Sequence, residues 1–360
     1  MGWSLSSWRT RTRRERTENQ SAEPRRTGRE QAVREQVVRG EAVREEVVRE
    51  QAALSFARTC QELTAQLVAR TSSPMWFASR VADQAYTLLG GSSRWIPVPV
   101  GLQLHLRQVT CQAMLAGEGP PLALDLAAVP AYRDREAVHR FGLGTYTGVP
   151  LRAADGSVLG TLCGTGPDPL GVHAYADLAP ARQVAQHLAQ VLQGDLHRLR
   201  GQRAAHVQAA GRWRDELTGL LDRRGWALVL KGEEERARAY AEPVRISVID
   251  LGPVTSARLL RRIGAAAAEA AGGAVGGAGG EGGGEQVVLA RLGGRQLGVL
   301  CAGRGERQAG EVLERVQLAV RAAGCARLVA GHALRSASTG VAGTWQQAEN
   351  ELIAARRASA

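Results

Sequence analysis

Lysine is nearly absent from this chain: of 46 basic side chains, only Lys231 is not an arginine. The formal net charge of +11 would ordinarily point to an anionic partner such as nucleic acid. Here the arginine bias comes with abundant Ala and Gly, the mark of a GC-rich coding sequence. Much of the excess sits in the first 28 residues, which hold seven Arg and three Glu. No nucleic-acid reading motif accompanies the charge, so nucleic acid is not expected as a partner. Cysteine is sparse as well. Cys60, Cys111, Cys163, Cys301 and Cys325 are odd in number, widely spaced and without a C-x-x-C pair, which argues against a disulfide framework and a zinc site. Most of them are expected to be small buried apolar residues. No apolar run approaches the length that crosses a bilayer, and the arginine-rich N-terminus has no secretion-signal block. The expected location is cytoplasmic, with no membrane partner.

What the chain does have is length for two domains, each with its own core, in 360 residues. Residues 1–53 stand apart. Between 29 and 53 the sequence repeats every five residues (REQAV, REQVV, RGEAV, REEVV, REQAA). On a helix such a step advances by about 140°, so the Ala/Val pairs spiral and form no single apolar stripe. The segment is expected to be a disordered or charged helical extension carrying i,i+4 Arg/Glu pairs.

A globular pattern starts near residue 54 and extends to about 180. An apolar helix is expected through Leu54, Leu63 and Leu67 and on to Val81, Tyr86 and Leu88. Strands are expected at RWIPVPV (94–100), LQLHLRQVT (102–110), YTGVPL (146–151) and VLGTLCG (158–164), the last two joined through the Asp155-Gly156 turn signal. A helix, a Gly/Pro break and a second short helix lie between them. The class is an α/β sandwich built on antiparallel hairpins, not a βαβ nucleotide fold. GTYTGVPLRAADGSVLGTLCGTGPDP (144–169), with CQAMLAGEGP and DLAAVPAY upstream, resembles a GAF domain. That resemblance implies a sensor module for a small molecule or a protein, without naming the ligand. Cys163 is expected to be a structural thiol. His105, His139 and His173 lack the paired spacing of metal or haem ligands.

Residues 181–212 are expected to form a connecting helix. Leu178, Ala181, Ala185, Leu188, Leu192 and Leu199 recur near heptad spacing, so a parallel homodimer through this helix is expected; the competing reading packs it on its own domain.

Residues 213–360 form the second expected α/β domain. WRDELTGLLDRRGW (213–226) closely resembles the D-x-L-T-G-L-x-N-R-R opening of GGDEF domains, the catalytic modules of diguanylate cyclases, with Asp222 in place of the usual Asn. VRISVIDLG (244–252), the hairpin LARLGGRQLGVLC (289–301), RLVAGHA (327–333) and AENELIAARR (348–357) follow in the family's order. The resemblance implies a dimer condensing two GTP to cyclic di-GMP, with divalent metal held by an Asp ending the first strand and by the acidic third residue of the signature. Asp250 keeps the first ligand. The signature reads Gly293, Gly294, Arg295, Gln296, Leu297, so arginine replaces the second. At about 4 Å and an effective dielectric of roughly 20, a guanidinium opposes a dication by several kcal/mol. Gly252, Val254, Thr255, Arg258 and Leu259 replace the family's second Asp, Phe, phosphate Lys and base-contacting Asn-Asp. RRIGAAAAEA (261–270) lacks the guanine-recognising acid, and Gly284 and Val287 replace the product-site R-x-x-D. The loop 271–285, nine of whose fifteen residues are glycine, is expected to be flexible.

The reading is therefore a signalling protein whose GGDEF-like domain has lost its catalysis and acts by binding a protein partner or a nucleotide, with no cofactor. Arg295 and Arg356 are its candidate residual phosphate contacts, used without metal. The rival is an active diguanylate cyclase, which would need Mg²⁺.

Overall fold

In a computed structural model of the chain, the described residues are 56–253, 256–272, 286–325 and 327–358. The five-residue repeat, Leu54, Val254, Thr255, Gly284 and most of the glycine loop lie outside them.

The first layer begins with helix α1 (56–70). Strands β1 (Met75–Ala82) and β2 (Ala85–Ser93) follow, then β3 (Gln103–His105), helix α2 (Thr110–Leu115), β4 (Leu122–Ala123), α3 (Pro130–Arg133), α4 (Glu136–Phe141), β5 (Thr145–Arg152) and β6 (Val158–Gly166). The strands form one antiparallel sheet in the order β3-β2-β1-β6-β5-β4. Period-2 alternation sends neighbouring side chains to opposite faces. Trp76 and Leu162 join the core beneath α1 and helix α5 (Leu178–Ala210), while Phe77 and Cys163 face α2, α3 and α4.

Two expectations are corrected here. Val81, Tyr86 and Leu88 belong to a hairpin, not to an extended first helix. Pro74 removes a backbone donor after the helix, and Asp83, at φ +54, turns the chain so that Ala82 pairs with Ala85. RWIPVPV forms no strand, because Pro97 and Pro99 cannot donate to a ladder.

Helix α5 is one continuous element of 33 residues. Its near-heptad stripe is covered within the chain: Ala181, Ala185, Leu188, Leu192 and Leu199 are buried in the first sheet's core. The packing chosen is that of the competing reading, and this stripe is not available for pairing with a second chain.

The second layer comprises helix α6 (Arg223–Tyr240), strand β7 (Val244–Asp250), α7 (Ala257–Ala270), β8 (Gln286–Gly293), β9 (Gln296–Ala302), α8 (Glu306–Ala322), β10 (Val329–Leu334) and α9 (Gly340–Ala358). Its antiparallel sheet runs β10-β7-β9-β8. Ile246, Val248, Val288 and Leu300 face α6 and α9; Ile249, Leu289, Leu297 and Val299 face α7 and α8. The molecule is thus an α/β protein with two antiparallel sheets, each carrying helices on both faces. Among the described residues no helix is long and apolar enough to cross a membrane.

Candidate functional site

The hairpin β8–β9 turns at Gly293 and Gly294, whose φ values of +132° and +50° fall where a Cβ is strained. This puts Arg295 at the tip, its side chain 53% exposed. Gln296 lies opposite Asp250 in the ladder, and Leu297 is buried in the core. The five signature residues therefore divide into two that make the turn, one that reaches out, one that pairs and one that packs.

Asp250 ends β7 as a buried carboxylate, 4% exposed. Its Oδ1 accepts the Gly252 amide at 2.8 Å and lies 3.6 Å from Nε of Arg295. Its Oδ2 pairs with the Arg356 guanidinium, brought in by α9. Asp250, Arg295 and Arg356, picked separately from the sequence, thus meet at one point.

That arrangement does not fit a divalent cation. Hard cations take oxygen ligands, and here both carboxylate oxygens of the one acid are engaged by guanidinium groups. Gly252 is more than a missing acid. Its φ is +64°, and a Cβ there would stand 2.7 Å from the Arg327 carbonyl oxygen, so the backbone itself disfavours a side chain. Two cations against one anion leave the cluster with an excess positive charge. Both arginines keep surface exposure, 53% and 37% for their side chains, and guanidinium forks match phosphate oxygens.

The DELTGLL segment acts as a latch beneath this hairpin. Asp215 Oδ1 accepts both the amide and the hydroxyl of Thr218, each at 2.8 Å. Asp215 Oδ2 takes Arg291 at 2.8 Å, and Arg291 also donates to the Gly294 carbonyl at 3.1 Å. Leu221 and Arg291 exchange backbone hydrogen bonds with β8 and this segment, from the Leu221 amide to the Leu289 carbonyl and from the Arg291 amide to the Leu221 carbonyl. Burial works against the Asp215 charge, but the Thr218 and Arg291 hydrogen bonds outweigh it and hold the carboxyl below its ordinary value. Asp222, in the place of the family's Asn, caps α6 by accepting the Arg224 and Gly225 amides. Arg291 was the residue that sequence reasoning missed; its only signal was a charge two positions before the glycine pair.

In the first layer, Phe77, Trp95, Ile96, Cys111, Phe141 and Tyr146 help to line an apolar cavity of about 80 Å³. His105, His139 and His173 do not line it. Cys163 lies just behind the wall, its Sγ 3.1 Å from Cys111 Sγ.

The two layers meet through Tyr240 of α6, buried in the first layer's core, and through polar groups. Asp83 at the β1–β2 tip accepts the Glu306 amide at the start of α8. Arg80 of β1 approaches Glu242 at 3.8 Å. Glu242 also faces Arg203 of α5 at 3.4 Å, and Arg203 in turn grips Glu233 of α6 through two bonds of 2.8 and 3.0 Å.

A cyclic di-GMP phosphodiesterase of Pseudomonas aeruginosa is 28% identical over 145 residues, 38% of this chain and only 22% of that relative's length. Among solved structures, the GGDEF domain of FimX from Pseudomonas aeruginosa is 21% identical with a TM-score of 0.33, covering 40% of this chain and 93% of that one. The diguanylate cyclase SiaD from Pseudomonas aeruginosa, solved with its activator SiaC, is 20% identical with a TM-score of 0.35, covering 52% of this chain and 75% of that one. The family model of the GAF domain matches residues 52–192, the stretch that builds α1, the six-stranded sheet and the first part of α5. The likeness to the GAF domain family is confined to those residues.

Proposed function

We propose that this chain is a regulatory protein of cyclic di-GMP signalling, in which a GAF sensor governs a GGDEF-like domain that binds nucleotide phosphate or a protein partner and does not catalyse cyclisation. The sensing part rests on the GAF family match, and the signalling context on the DELTGLL and hairpin motifs together with the phosphodiesterase relative's name. The observation that carries the loss of catalysis is the engagement of Asp250 by Arg295 and Arg356. A carboxylate flanked by two guanidinium groups is opposed as an Mg²⁺ ligand by their positive charge, and the same two groups offer an anion what a metal would have supplied.

Incubating the full chain with labelled GTP, with and without Mg²⁺ or Mn²⁺, tests this directly. The expected result is no cyclic di-GMP above a no-protein control. Arg295→Asp is expected to stay inactive, since one carboxylate restores neither the base contacts nor the phosphate lysine, and residues that act as a unit do not contribute independently. Turnover by the unaltered chain overturns the reading. Turnover by the variant alone would make Arg295 the sole block. Metal-independent binding of GTP or cyclic di-GMP that weakens at least tenfold in Arg356→Ala would select the nucleotide over the protein partner.

A further inference from the structure

Cys111 and Cys163 are 52 positions apart in the sequence, yet their Sγ atoms are 3.1 Å apart in a buried cluster. Around them are the Tyr86 hydroxyl, 3.3 Å from Cys111 and 3.5 Å from Cys163, and the Thr161 hydroxyl, 3.2 Å from Cys163. The other three thiols lie elsewhere: Cys60 on the buried side of α1, against the opposite face of the same sheet, Cys301 and Cys325 in the core of the second layer. A disulfide needs about 2.05 Å between sulfurs, so closing this pair requires a movement of roughly 1 Å.

The two residues are unequally placed for that movement. Cys163 is in β6, a central strand bonded on both sides to β1 and β5. Cys111 is in α2, a six-residue helix that ends at Ala116 and Gly117. Val109, Thr110 and Cys111 also form part of the apolar cavity's wall. The cavity of about 80 Å³ reaches the surface beside Ile96, which is 39% exposed. A molecule of a few heavy atoms fits there next to Cys111, since one water needs only about 10–15 Å³.

We infer that Cys111 and Cys163 are an oxidisable dithiol of the GAF domain, converted to a disulfide by a small peroxide that enters through the apolar cavity. Cys111 Sγ attacks one peroxide oxygen; the O–O bond breaks, the sulfur becomes sulfenic acid and one water leaves. Cys163 Sγ then attacks that sulfur; the S–S bond forms, the S–O bond breaks and a second water leaves with the remaining thiol proton. Two thiols are oxidised by two electrons and one hydrogen peroxide is reduced to two waters. Burial opposes ionisation of both sulfurs and pushes Cys163 up, while hydrogen bonds from Cys163 and the neighbouring hydroxyls bring Cys111 down. Cys111, which lines the cavity while Cys163 does not, is the attacking member. Because Cys111 is a wall residue and Cys163 lies behind it, closing the pair shifts that wall, so oxidation alters the sensor cavity. None of this depends on the reading of the second layer.

The test uses the full chain treated with hydrogen peroxide, blocked with an alkylating agent and mapped by mass spectrometry without reduction. The expected product is a bridged peptide joining Cys111 to Cys163, reversed by dithiothreitol, with the melting midpoint raised by on the order of 5 °C. Cys163→Ser is expected to stop at a Cys111 sulfenic acid that dimedone traps. If that variant fails to fold, the map of the unaltered chain decides alone. Both thiols still alkylated after peroxide treatment of the folded protein, Cys111 over-oxidised without a bridge, or a bridge to Cys60, Cys301 or Cys325 would each overturn the inference.

Discussion

Asp250 is the residue on which the reading of the second layer turns, and its environment is more decisive than its identity. Burial would make a lone carboxylate costly, and Arg295, Arg356 and the Gly252 amide supply the compensation. Glu234 shows the same chemistry at a site with no proposed function. Burial raises its pKa, but bonds from Arg335, the Val341 amide and Arg238 dominate and hold it at about 2. Because the folded value lies below the ordinary 4.5, the unfolded chain binds the proton more readily between the two. The stabilisation is complete above about 5 and is lost as pH falls toward 2. Glu234→Gln is expected to cost about 1–3 kcal/mol near neutrality and to flatten the acid limb of a stability–pH curve. An unchanged limb in urea titrations at successive pH values would count against this assignment.

At the scale of elements, α8 begins with a borrowed cap. Gly305 has no side chain to satisfy the first amides of the helix, and Asp83, arriving from the β1–β2 tip, accepts the Glu306 amide instead. Asp83→Ala is expected to destabilise the protein by about 1 kcal/mol, measurable as a lowered midpoint in denaturant with an unchanged slope. Helix α5 tells a second story. Its leucine spacing suits a coiled coil and a sheet-covering helix equally, because both need one apolar stripe. The sheet claims that stripe. Leu192→Ala, at a side chain with no exposed area, is expected to cost about 2–5 kcal/mol while leaving the mass by light scattering unchanged. A fall to half the mass without loss of stability would instead place Leu192 in a dimer contact.

For the whole molecule, the ion cluster of Arg203, Glu233, Arg236 and Glu242 has consequences beyond one helix. Arg203 is 1% exposed and Glu233 has no exposed area. Burial opposes the Glu233 charge, and Arg203 and Arg236 together overcome it. Arg80 extends the cluster to the GAF sheet through Glu242. Removing one member leaves an uncompensated buried charge, so Arg203→Met is expected to cost about 3–5 kcal/mol. Calorimetry of the variant is expected to show a lowered midpoint and a broader transition, because one of the contacts that join the layers is lost while Tyr240 and Asp83 still bridge them; an unchanged transition would show that the cluster does not couple them.

Local sequence was enough for the parts whose structure is set locally. Asp155-Gly156 and Gly293-Gly294 mark turns because of the φ values those turns require, and the apolar runs of β5, β6, β8 and β9 mark strands with two buried faces. The departures around Arg295 from the motif it resembles were equally plain as letters. The β1–β2 hairpin was hidden, since Val81, Tyr86 and Leu88 fit a helical spacing as well as a strand until Pro74 and Asp83 are weighed. Long-range pairing was beyond reach. Arg356 stands 106 positions after Asp250, Cys163 stands 52 after Cys111, and Arg291 stands 76 after Asp215. Spacing and motif letters determined two α/β modules joined by a helix, one resembling a GAF domain and the other a GGDEF domain. Which charges face one another, which thiols touch and which stripe is covered were decided only when the sheets folded, because those energies depend on distance and burial in space, not on separation along the chain.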